Sequence, residues 1–135
     1  MERRRFLRQP EQVAAARRFV AEPLGRGSEL GETARLLVSE TVTSTLDQTP
    51  SGLGDGSFQV AHAVVDGRLR VEVSDDGGPA RLRRRVHGAH AQGGRGLRLV
   101  QTLASRWGVR EDTRGRTIWF ELDLRTAGRL RPRAH

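Results

Sequence analysis

The 135-residue sequence predicts a two-layer α+β sandwich, with a mixed, mainly antiparallel sheet covered on one face by three helices. Three observations carry this expectation. Two pairs of strand-like segments are each joined by a short glycine turn, which favours antiparallel hairpins. Helical periodicity occupies the N-terminal third and returns between the hairpins. No repeat or long linker divides the chain, so the helices must cover the sheet that the hairpins build.

In chain order, residues 1–9 are polar and basic, with Phe6-Leu7 as a candidate short strand. Pro10 suits the first turn of a helix, where its missing N–H has no bond to lose. Val13, Ala14, Ala16, Phe19 and Val20 carry that helix to Ala21 or Glu22. Pro23 and the Gly25/Gly27 pair end it. Ser28 is the candidate N-cap of a second helix, with Glu29 and Glu32 favoured by the dipole in its first turn. Leu30, Ala34, Leu37, Val38, Thr41, Val42 and Thr45 then recur at helical spacing as far as Asp47, ahead of Pro50. A Pro-, Gly- and Ser-rich loop follows at 49–56. Residues 58–65 and 68–75 form a hairpin around Asp66-Gly67. The polar, glycine-bearing stretch 76–94 is a long loop. Leu97, Leu99, Val100, Leu103, Ala104 and Trp107 predict a third helix, stopped by Gly108. Residues 109–112 and 117–124 close the chain as two strands around Arg114-Gly115. The domain spans residues 6–124, and residues 125–135 read as a basic, disordered tail.

Composition narrows the function classes. The length suits one domain. The absence of cysteine excludes disulfides and thiolate metal sites. The basic N-terminus is not followed by an apolar run, and no segment has the length of a membrane span. The expectation is a soluble cytoplasmic protein. The net charge of +8 comes entirely from arginine, with no lysine in the chain. These arginines are spread along the sequence, as in a protein from a GC-rich genome. Low aromatic content, the lack of tyrosine and the lack of a helix-turn-helix signature argue against nucleic acid. Two clusters stand out: Arg81, Arg83, Arg84 and Arg85, and Arg125, Arg129, Arg131 and Arg133.

Three places depart from packing logic. Asp75 shares strand parity with Leu69, Val71 and Val73, so a carboxylate falls on the core face. Burial without a partner is costly. It is therefore either a pocket floor that accepts hydrogen bonds from a ligand amine or the first residue of a turn, with Gly77 supplying positive φ. Gly93-Gly94-Arg95-Gly96 stands directly before the third helix. It is either a hinge or a close-approach loop that offers N–H groups to phosphate. It is not a P-loop, because no lysine exists to serve one. Glu40 lies beside the apolar stripe of the second helix, on the flank of Thr33, Ser44 and Asp47. That flank is either solvated or lines a cleft.

Together these segments resemble the boxes of Bergerat-fold, histidine-kinase-like ATPases. Leu-Leu-Val-Ser-Glu-Thr-Val-Thr-Ser at 36–44 is similar to the N box. Val-Glu-Val-Ser-Asp-Asp-Gly-Gly at 71–78 is similar to the first glycine box, and Gly-Gly-Arg-Gly-Leu-Arg-Leu-Val at 93–100 to the second. Arg-Trp-Gly-Val at 106–109 and Thr-Ile-Trp-Phe-Glu-Leu at 117–122 extend the match over residues 6–124. Within that family the chain resembles the short bacterial anti-sigma factors with serine-kinase activity and related actinobacterial regulators.

The resemblance implies ATP or ADP as ligand with Mg²⁺, and a sigma factor or anti-sigma factor antagonist as partner. Homodimers are common in that subgroup. It implies that Asp75 accepts the adenine amine and that Gly77 lies beside the base. It implies that Gly94 and Gly96, with Arg95 and Leu97 in the same segment, lie near the phosphates. Glu40 falls on the general base of the kinase members. Ser44 falls on the asparagine that chelates Mg²⁺, and Pro79 on a first-box glycine. Productive Mg·ATP chemistry therefore turns on Ser44, and a non-catalytic binding module is the alternative.

Overall fold

The computed structural model describes residues 1–25, 27–46, 56–75, 97–112 and 115–124. In chain order they form β1 (Glu2–Leu7), α1 (Pro10–Ala21), a 3₁₀ turn (Glu22–Leu24), α2 (Glu29–Leu46), β2 (Ser57–Val65), β3 (Arg68–Asp75), α3 (Arg98–Leu103), β4 (Arg106–Asp112) and β5 (Gly115–Asp123). The described strands make one sheet in the order β1-β2-β3-β5-β4, and every neighbouring pair is antiparallel. The α+β sandwich read from the sequence is therefore the observed architecture.

The local reasons follow the sequence. Pro10 opens α1 behind an extended Gln9. The Ser28 hydroxyl accepts the Gly31 N–H at 2.8 Å, so it caps α2. Asp66 and Gly67 both take positive φ, +54° and +75°, as a two-residue type I′ hairpin needs. Register then sorts the strands into rows. Arg4, Val60, Val73, Ile118 and Val109 form one row, and Glu2, His62, Val71, Phe120 and Trp107 the next. These rows face the helices, where Phe19, Val20, Leu37, Val38, Val42 and Val100 complete the core. Phe19, Phe58 and Phe120 are fully buried, and each such side chain contributes about 1.5–3 kcal/mol.

Two expectations are corrected. The first strand is six residues long rather than the Phe6-Leu7 pair, because ladder pairing with β2 extends over Arg3, Arg4 and Arg5 at the sheet edge. The third helix ends at Leu103. Trp107 belongs to β4, paired with Phe120, and that strand begins at Arg106 rather than at residue 109. Ala104 turns extended, and the Ser105 N–H donates to the Glu121 carbonyl at 2.8 Å. The chain enters the sheet there and keeps Trp107 on the core face by strand parity instead of helical spacing.

The opposite face of the sheet is a charge lattice. The Arg70 guanidinium donates to Glu121 at 2.9 Å and to Glu72 at 3.1 Å, and lies over the Trp119 ring at 4.2 Å. Arg106 donates to Glu121 at 2.7 Å. Partial burial pushes the Glu121 carboxyl up, but the hydrogen bonds from Arg106 and Arg70 outweigh it and hold the group below its ordinary value.

Candidate functional site

Asp75 ends β3 on the helix-covered face, opposite Phe58, which in turn pairs with Phe6. The Phe6 and Phe58 rings stack at 5.6 Å. Asp75 is 4% exposed, so the parity argument for a buried carboxylate holds. The surrounding geometry adds a residue that the sequence reading passed over. Alternation along β1 turns Phe6 inward and Leu7 outward, and Arg8, just past the strand, turns inward again. Leu7 is accordingly exposed and Arg8 buried. The Arg8 guanidinium forms an ion pair with Asp75 through Nη2 and Oδ1. Neither side chain keeps appreciable contact with water.

The path of Arg8 is shaped by Gly56. The Arg8 N–H donates to the Gly56 carbonyl at 3.4 Å. Gly56 has φ +100°, and a Cβ there would stand 3.3 Å from Arg8 Nε. Glycine is therefore the residue that tolerates both the backbone angle and the close guanidinium. Arg8 Nε finds no hydrogen-bond partner, so its charge is answered chiefly at Asp75. The period-2 spacing of Phe6 and Arg8 was the available signal. It was hidden because residues 3–5 are all arginine and read as a solvated run.

One residue further along the β3–β5 ladder, Arg116 follows the Ser74–Thr117 pair and is also buried. Its Nε lies 3.6 Å from Glu111, and its Nη1 has no hydrogen-bond partner. Burial lowers its pKa, with Glu111 opposing. This end of the sheet thus carries two buried guanidinium groups, Arg8 paired with Asp75 and Arg116 with Glu111.

The other sequence candidates distribute as follows. Ser44 is buried on α2, and Glu40 is half-buried one turn earlier. Thr41, between them, donates its hydroxyl to the Leu37 and Val38 carbonyls at 3.0 Å each, within its own helix. Leu97 is buried and precedes α3, and its carbonyl accepts the Gln101 N–H at 2.9 Å. Gly77, Gly94, Arg95 and Gly96 lie outside the described residues, as do Asp47, Pro79, the arginines at 81–85 and the tail from 125. Among the described residues, no group of His, Asp and Glu side chains is arranged to hold a metal ion.

The family model of the Histidine kinase-like ATPase domain matches residues 6–122. The chain belongs to that family. Solved structures with the same fold include the blue-light activated histidine kinase of Erythrobacter litoralis EL346, with 23% identity and a TM-score of 0.50. That match covers 88% of this chain and 42% of the kinase. The histidine kinase domain of the same protein matches with 22% identity and a TM-score of 0.50, over 89% of this chain and 63% of that one. The chain thus spans under half of the kinase, and somewhat less than two thirds of its kinase domain. No curated protein is similar enough to match. No described helix is long and apolar enough to cross a membrane.

The family is one of ATPase domains, and the described residues depart from plain packing in one respect. A carboxylate, which can only accept hydrogen bonds when ionised, stands at the end of the core face where an apolar residue would be the plain choice. They also add a feature of this chain, since that carboxylate already holds an arginine.

Proposed function

We propose that the domain binds ATP or ADP, with Asp75 accepting the exocyclic amine of adenine, and that it regulates a partner in the manner of anti-sigma factors. The buried position of Asp75 at the end of β3 supports this reading most strongly. Gly77 would lie beside the base. Gly94, Arg95, Gly96 and Leu97 would hold the phosphates with backbone N–H groups at a helix start. Ser44 is the residue for Mg²⁺. The bound nucleotide supplies a transferable phosphoryl group. Glu40 takes the proton of an acceptor serine hydroxyl on the partner, a sigma factor antagonist.

Calorimetric titration with Mg·ATP tests the ligand. Saturable binding is expected, and no heat at millimolar nucleotide would remove the reading. Co-purification with sigma factors and their antagonists, with and without ATP, tests the partner. ATP-dependent exchange between the two is the expected result.

A second reading keeps the fold and the partner surface without phosphoryl transfer. Ser44 favours it, because a hydroxyl is a poorer Mg²⁺ ligand than an amide oxygen. Steady serine-kinase turnover by the unmodified protein would exclude this second reading.

A further inference from the structure

We propose that Arg8 is an internal competitor at the base subsite, whose ion pair with the Asp75 carboxylate weakens the contact that an adenine makes there. The proposal rests on the assignment of Asp75 to the base.

Three observations support it. First, the contact is built in. Strand parity returns Arg8 to the core face after Phe6, and Gly56 clears the space that its guanidinium occupies. Second, the pair is buried, with side-chain exposures of 4% for Arg8 and 0% for Asp75. It is therefore not one of the exposed ion pairs that form and break at little cost. Third, the two donors draw on one carboxylate. Asp75 Oδ1 takes the Arg8 N–H, and a purine amine would have to share that same carboxylate. A guanidinium–carboxylate hydrogen bond is about twice as strong as a neutral one, so the neutral amine starts at a disadvantage.

Arg8 therefore lowers adenine affinity. It lies in the turn between β1, the edge strand among the described residues, and α1. Any movement of Arg8 out of the subsite must pass through that turn.

The test compares nucleotide binding by wild type, Arg8→Met and Arg8→Gln, with calorimetry of the magnesium complex of a non-hydrolysable ATP analogue. Arg8→Met is expected to bind about tenfold more tightly than wild type. Arg8→Gln should fall between them, because its neutral amide still reaches toward Asp75 but competes less. It also keeps a polar partner for the carboxylate if the methionine variant folds poorly. In wild type, the Arg8 Nε–H resonance is expected to shift on saturation. Equal or weaker binding by both variants, or an unmoved Arg8 resonance at saturation, would overturn the role of Arg8 while leaving nucleotide binding in place. No uptake by wild type or by either variant would overturn the nucleotide reading and this inference together.

Discussion

Breaking the Arg8–Asp75 pair from one side should damage the protein far more than deleting it whole. Asp75→Asn leaves a guanidinium that is 3% exposed, with Nε unpartnered, facing a neutral amide. Loss of one member of a buried pair costs about 3–5 kcal/mol, because the remaining charge stays desolvated. Arg8→Met leaves the reciprocal problem, a buried carboxylate without its guanidinium. The double variant Arg8→Met with Asp75→Leu removes both charges and should lose no more than about 1–2 kcal/mol. The double-mutant cycle is thus expected to show a coupling of at least about 2 kcal/mol. Urea unfolding followed by circular dichroism measures all four corners. Against a total stability of about 5–15 kcal/mol, Asp75→Asn alone could consume half the margin. Single variants that each cost under about 1 kcal/mol and add independently would refute the buried-pair argument. The same numbers bear on function, since lost nucleotide binding in Asp75→Asn means a lost base contact only if the variant is folded when titrated.

Three further outcomes are expected. His62 is buried against the Phe19 ring at 4.5 Å. Desolvation lowers its pKa, with Arg4 and the N-terminal charge in the same direction and Glu2 and Glu22 opposing. Its unfolded form therefore binds a proton first, so stability is fully present above about pH 6.5 and declines as pH falls from there toward the lowered folded value. Urea midpoints at pH 7.5 and 5.5 should differ by less in His62→Leu than in wild type. Ser28→Ala removes the cap on α2 and should cost about 1 kcal/mol by the same assay. Arg116→Met exchanges a buried guanidinium, paired with Glu111 at 3.6 Å, for an apolar chain of similar reach. It should be neutral or stabilising by up to about 2 kcal/mol, whereas a loss above about 1 kcal/mol would mean that the charge is needed there.

Much of the fold was legible because it rests on local rules. The α2 stripe predicts the buried face that is found at Ala34, Leu37, Val38 and Val42. Asp66-Gly67 fixes the hairpin, and the hairpin fixes the parity that buries Asp75. What was missed depends on neighbours far away in the chain. β1 is a run of arginines on its own and becomes a strand only because β2 offers a ladder. Trp107 fits helical and strand spacing alike, and its pairing with Phe120 decides between them. The most informative contact of the site, Arg8 with Asp75, joins residues 67 apart, and no pattern within either segment announces the other. The glycine segments at 77 and 93–96, which carried much of the sequence argument, lie outside the described residues.

Trp119 lies so close over β4 that a Cβ on Gly108 would stand 2.7 Å from its indole Nε1. Its indole is thus seated flat on the charged side of the sheet beneath Arg70, while Trp107 packs against the core on the other side. Both tryptophans of the chain are thereby committed to different surfaces. Replacing either with phenylalanine leaves an emission that reports from one side alone. A titration can then tell, without any attached dye, which side of the sheet an added molecule has met.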